Sequence, residues 1–181
     1  MKKLRIFFIS FLILTSVPII AQEATGLVGI NLNLSSGIDK DIFTNKEFNY
    51  VYLRNNQTYH SSIGIGNFSR REPNVLNFGL GYGHFYNLNN FVFSAQVIPR
   101  IYTGEDTRGY SGQFDLSISK IVRSNFYLSL DLGMGHYIGD FVRYEFLRDP
   151  VTLEYPVMRS SDSFLQIGFR AMYVLRSKAS Y

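Results

Sequence analysis

Three histidines, one His-x-Ser pair and a run of glycines are the residues of this 181-residue chain best suited to chemistry, and there is no cysteine. His60 stands two residues before Ser62, a spacing that places a general base beside a hydroxyl nucleophile when both share one face of a strand. His84 and His136 lack such a neighbour: the residues two positions away are Tyr82 and Tyr86 in one case, Met134 and Ile138 in the other. No carboxylate stands at a familiar ligand spacing from any of the three, so scattered structural histidines are expected and no metal site is assigned. In Asn77-Phe-Gly-Leu-Gly-Tyr-Gly-His-Phe85, the residues Gly79, Gly81 and Gly83 look at first like a phosphate cradle. A dinucleotide loop, however, needs G-x-G-x-x-G ahead of a helix. Glycine here recurs at period two between Phe78, Leu80 and Tyr82, which describes a strand with glycine on one face and large apolar residues on the other.

The elements that must position these residues follow from that alternation. Ile63-Gly-Ile-Gly-Asn-Phe68, Leu80-Gly-Tyr-Gly-His-Phe85 and Leu132-Gly-Met-Gly-His-Tyr137 share one pattern at unequal spacing, as similar strands do and solenoid repeats do not. Inward glycine and outward apolar residues suit a narrow closed barrel. Eight strands are predicted, over 24–35, 46–54, 59–68, 75–86, 91–103, 110–121, 126–138 and 164–175. Each alternating run approaches the roughly 9–11 residues a tilted strand needs to cross a bilayer. Strand 46–54 is the weakest, because Phe48, Tyr50 and Tyr52 compete with Val51 and Leu53 for the outer face. Short connections at 55–58, 87–90 and 122–125 alternate with longer ones at 37–45, 69–74, 104–109 and 139–163. That is the order of periplasmic turns and external loops in an outer-membrane barrel, with both termini in the periplasm.

Lys2, Lys3 and Arg5 precede an apolar run from Ile6 to Val17, and Ala21 before Gln22 offers a cleavage point. A cleavable signal peptide is predicted over 1–21, with one barrel domain over 22–181. The run is about a dozen residues, short of the roughly 20 of a spanning helix. Three of the 18 basic residues lie in the predicted signal peptide, leaving 15 against 14 acidic ones, and no Lys/Arg stripe remains to suggest nucleic acid. Without cysteine the chain is neither a lipoprotein nor stapled by disulfides.

Strand pattern, length and leader together resemble the small eight-stranded outer-membrane β-barrel proteins of Gram-negative bacteria, across residues 22–181. The resemblance implies an all-β, antiparallel, up-and-down, eight-stranded transmembrane barrel in the cell outer membrane. It also implies contact with outer-membrane lipid and lipopolysaccharide, and delivery by the barrel-assembly machinery, which reads a terminal aromatic residue. Tyr181 and Tyr173 share the outward parity and compete for that part. Some barrels of this class act on lipid acyl chains, and in the lipid A 3-O-deacylase family the His and Ser stand two apart on a lipid-facing strand. His60 and Ser62 have the spacing, but their parity points into the lumen. A lipid-modifying enzyme, lipid A acyl hydrolase-like, is therefore an alternative, as is a minor channel; no catalytic residue and no cofactor is assigned.

The same parity turns Arg100, Asp115, Asp131 and Arg170 inward, and an ion-pair network in the lumen is expected because unpaired buried charge is costly. Eight strands leave an interior just wide enough for side chains, so no free pore is expected. In the longest connection, Val142, Tyr144 and Phe146 continue the even parity of Met134, and Val151, Leu153, Tyr155 and Val157 the odd parity of Leu165, with the turn signal Asp149-Pro150 between. This predicts a protruding hairpin, with Tyr144, Phe146, Leu153 and Tyr155 as candidate partner-binding residues for an extracellular protein. Ten strands would require spans of about seven residues at 141–147 and 152–158, against the roughly 9–11 needed. The leading function is structural or surface-interacting, adhesion-like, through the outer loops.

Overall fold

In a computed structural model, residues 25–38, 41–69, 74–105, 107–123, 125–142 and 156–177 are described. They form β1 (Thr25–Ser36), β2 (Ile42–Arg54), β3 (Gln57–Phe68), β4 (Val75–Leu88), β5 (Phe91–Thr103), β6 (Thr107–Arg123), β7 (Phe126–Val142) and β8 (Val157–Ser177). Each strand pairs antiparallel with the next, and β8 returns to β1, closing an up-and-down barrel. β7 and β8 stay paired up to Val142 and Val157, and among the described residues eight strands close the barrel.

Local chemistry fixes one end of this barrel. β2 and β3 are joined by Asn55 and Asn56, both at positive φ (49° and 60°), and Asn89 in the β4–β5 turn has φ 54°. Asparagine tolerates the left-handed region, and such two-residue turns match the right-handed twist of the strands they join. Thr25 and Ser177 pair at this same end, while the longer connections lie at the other.

The cross-section is inverted relative to a water-soluble barrel. Outward positions are large and apolar, among them Leu80 at 69% exposure and Phe169 at 65%, whereas Asn31, Glu47, Gln96, Asp131 and Arg170 are buried inside. Along the axis the lumen has three layers. Phe43, Phe68, Tyr102, Tyr137, Phe141 and Phe164 close the loop end. Their rings pack edge to face or tilted, with centroids 4.7 Å apart for Phe43–Phe68, 5.2 Å for Phe68–Phe141 and 5.4 Å for Tyr102–Tyr137. Leu27, Val51 and Met172, with Tyr127 against them, close the turn end. The polar side chains fill the middle.

Glycine supplies their room. A Cβ on Gly64 would lie 2.8 Å from both Asn45 Oδ1 and Glu47 Cγ and 2.9 Å from Asn77 Nδ2. One on Gly133 would collide with Asp115 Oδ1 and sit 2.9 Å from Gln113 Nε2. Other period-two glycines make room for rings or backbone instead, Gly66 beside Phe43 and Gly135 beside Phe164.

Four strands start earlier than the sequence suggests, two of them by four residues or more. β2 begins at Ile42 rather than 46, and β8 at Val157 rather than 164. The added outward positions are mixed, Ile42 and Thr44 on β2 and Val157, Arg159, Ser161 and Ser163 on β8, so no sustained hydrophobic alternation marks them. β7 likewise runs on to Val142, past the expected 138. Residues 1–21, Tyr181 and the hairpin positions Tyr144, Phe146, Leu153 and Tyr155 lie outside the described residues.

Overpacking should be costly at Gly64 and harmless at outward Gly112, where an added Cβ meets nothing within 4 Å. Gly64→Val is expected to lower unfolding stability by about 1–3 kcal/mol, with Gly112→Ala near the parent value. Urea titration of the detergent-folded barrel, followed by gel mobility, is the measurement; equal midpoints for both variants would refute the space argument.

Candidate functional site

Polar groups gather in two places, the middle of the lumen and the outer wall at the loop end. In the lumen, Glu47 of β2 accepts from Asn33 Nδ2 at 3.0 Å and Asn45 Nδ2 at 2.6 Å. Both arms of the Arg100 guanidinium reach it as well, Nη1 to Oε1 and Nη2 to Oε2, the second at 3.3 Å. Such a fork satisfies a planar donor and a planar acceptor together. Arg100 Nε donates to Gln113 Oε1 at 3.2 Å, and Gln113 Nε2 donates to Asp115. Across the lumen, Arg170 donates through Nε and Nη2 to Asp131 Oδ2 at 3.0 and 2.7 Å, with Asn31 Nδ2 at 3.4 Å from the same oxygen.

The four charged residues expected in the lumen are therefore all buried but do not form one net. Arg170 meets Asp131; Arg100 and Asp115 are joined only through Gln113. The ion-pair partner of Arg100 is Glu47, which sequence reasoning missed. Glu47 falls inside predicted strand 46–54, but that strand's competing outward and inward residues leave its facing unassigned. The available signal was the inward series Phe43, Asn45, Glu47, Asn49 and Val51, whose period two runs through the charge.

Ion-paired and capped at both ends, this cluster is suited to holding the wall together, although Asp131 Oδ1, Asn31 Oδ1, Asn33 Oδ1 and both amide atoms of Gln96 are buried without a hydrogen-bond partner among the described residues. The cavity below it, near Gln96 and Arg170, has a volume of ≈ 20 Å³, space for about one water molecule.

The histidines separate. His60 is buried in the lumen with Nε2 2.6 Å from Asn49 Oδ1, and Ser62 Oγ accepts from Arg100 Nη1 at 3.4 Å, so this same-strand pair faces away from the exterior. His84 is half-buried on the outside beside the Tyr82 ring, 5.8 Å between centroids. His136 is exposed on the outside, and its two ring nitrogens meet two serines of β8: Nε2 to Ser161 Oγ at 3.0 Å and Nδ1 to Ser163 Oγ at 3.3 Å. A search along β7 for a serine finds Met134 and Ile138, whereas the register sets His136 opposite Ser163 and Ile138 opposite Ser161. Among the described residues, no three His, Asp or Glu side chains come together as a metal cluster.

At the loop end, β1 stops pairing with β8 at Ser36 and Leu165. Beyond that point, among the described strands, Val157–Phe164 pairs with β7 alone. β6, β7 and β8 thereby stand higher than β1.

No protein-family model and no curated protein matches the chain. Among solved structures it is similar to the crystal structure of Neisserial surface protein A (NspA), at 9% sequence identity, covering 84% of this chain and 98% of that chain with a TM-score of 0.41. Likeness at that level assigns no residue a role.

Two outcomes follow for the lumen. A double-mutant cycle on Arg170→Ala and Asp131→Ala should show strong coupling, each single change costing roughly 3–5 kcal/mol by leaving a buried charge, while Arg100→Ala with Asp131→Ala should be near additive. Equal coupling in both cycles would mean one continuous network. In planar bilayers the barrel should show no stepwise conductance, and resolved channel steps would refute the capped lumen.

Proposed function

We propose that the chain is an outer-membrane barrel protein whose role is surface interaction, carried by the raised β7–β8 end. The observation behind the location is the inverted cross-section. Rows such as Ile30, Leu32 and Leu34, or Leu165, Ile167 and Phe169, are exposed on the exterior, and a band of that kind in water would far exceed the few hundred Å² of contiguous apolar surface that soluble monomers tolerate. Against acyl chains the same band is the stabilising surface, and closure leaves every spanning backbone group paired inside the sheet.

The interaction role draws on the height difference at the rim. A strand held on one side only presents a template for an added strand, and Val157 and Met158 on it are 62% and 45% exposed. In the sequence, Tyr144, Phe146, Leu153 and Tyr155 keep the parity of the two strands, and they are the residues proposed to meet an extracellular protein. A lumen filled with side chains supports this reading over conduction. Lipopolysaccharide around the rim and the assembly machinery during insertion are the partners such a location entails.

Two measurements address the parts separately. Cell fractionation should recover the protein with outer membranes, and its gel mobility should shift on boiling; soluble periplasmic recovery without a shift would end the membrane reading. Protease added to intact cells should cut near Asp149. Cutting there only after the outer membrane is permeabilised would leave the barrel in place and remove the protruding hairpin.

A further inference from the structure

On the outer wall at the loop end, three cross-strand rows stack over β6, β7 and β8. The lowest is Gly112, His136 and Ser163; the next is Tyr110, Ile138 and Ser161; the highest is Arg108, Asp140 and Arg159. Immediately below, the same strands show Phe114, Met134 and Leu165. Rows are about 7 Å apart along a strand, so within roughly 20 Å the wall passes from hydrocarbon to hydrogen-bonding groups to charge. That ordering is the polarity profile of a lipid from acyl chain through ester to phosphate.

The middle of this profile is built rather than smooth. Gly112 is an outward glycine with nothing within 4 Å of an added Cβ, so a notch opens beside the His136 ring. It belongs to a groove of ≈ 740 Å³ on the wall, with Val97, Phe114, Met134 and Leu165 along its apolar part and His136 and Ser163 at its polar part. A neutral imidazole has one donor and one acceptor nitrogen. Whichever tautomer holds, one serine donates to the ring and the other accepts from it. The accepting serine keeps its own O–H uncommitted, and at the edge of a bilayer an unused hydroxyl is a cost unless a lipid or water oxygen takes it.

We propose that this notch seats one ester-linked, phosphorylated lipid. Its carbonyl oxygen accepts from the free serine hydroxyl, its acyl chain runs over Phe114, Met134 and Leu165, and its phosphate lies toward Arg108 and Arg159, between which the register sets Asp140. The seat is one for binding: His136 lies within the paired sheet between β6 and β8, so its backbone amide belongs to the ladder and is not an oxyanion donor. The inference rests on the outer-membrane reading and adds to it a defined lipid and a defined place.

The test uses the full barrel inserted in vesicles, then extracted gently and weighed intact by native mass spectrometry to count retained lipids. The probes are dioleoylphosphatidylglycerol and its ether-linked dialkyl counterpart, which lacks the carbonyls. The parent should retain one diester lipid in preference to the ether by roughly five-fold, the scale of one net hydrogen bond. His136→Phe, and Ser161→Ala with Ser163→Ala, should reduce that preference to near unity. Gly112→Leu, which fills the notch, should reduce retention of both lipids. Ser61→Ala, at another place on the wall, should leave the preference unchanged. Equal retention of the two lipids by the parent, or a preference that survives His136→Phe, overturns the seat. A chain that fails to insert into vesicles overturns the membrane reading as well, whereas insertion without preference removes the seat alone.

Discussion

Every inward side chain of an eight-stranded barrel points at the same narrow axis, and the volume there is shared among all the strands. Placing Glu47, Asp131, Arg100 and Arg170 in that space requires their neighbours to give way. Gly64 does so beside Glu47, Asn45 and Asn77, Gly133 beside Asp115 and Gln113, and Gly168 beside Asn33 and Asn31. The remaining polar positions are amides and hydroxyls short enough to reach the charges without crowding them. Charge pairing holds the lumen together only because glycine has first made it wide enough. The aromatic cap at one end and the aliphatic cap at the other then exclude water from pairs whose strength depends on a low local dielectric.

Period two made most of the wall legible in the sequence, since Asn31, Asn33, Gln96, Asp115 and Asp131 alternate with apolar residues on their own strands. What that pattern cannot carry is register between strands. Arg100 and Glu47 are 53 residues apart and meet because β2, β3, β4 and β5 pair in series around the axis. His136 meets Ser161 and Ser163 from the next strand, beyond reach of any search along its own. Strand ends were the other loss. Hydrophobic alternation stops where the wall leaves the apolar band, but the hydrogen-bonded ladder continues, so the first rows of β8 and β2 are strand in backbone and loop in composition.

The rim is uneven for a related reason. Polar outward residues such as Arg108, Arg159 and Asp140 have no need of lipid, and β6, β7 and β8 rise past the point where β1 turns away. Gly37 makes that departure, with φ 117° and a backbone that approaches Ser163 O too closely for any larger residue. One glycine thus ends a strand and opens the edge of its neighbour.

The seam between β1 and β8 differs from the other seven contacts in more than its edge. Those seven join neighbours in sequence, three of them across two-residue turns, so each pairs strands that follow one another along the chain. At the seam Thr25 lies opposite Ser177, and the register shifts between Gly26 and Leu27. Closing so long a loop carries an entropic cost that no hairpin bears. Assembly can accumulate hairpin by hairpin, but the ring is complete only when its two most distant strands find each other, and the irregularity at Gly26 sits where that final match is made.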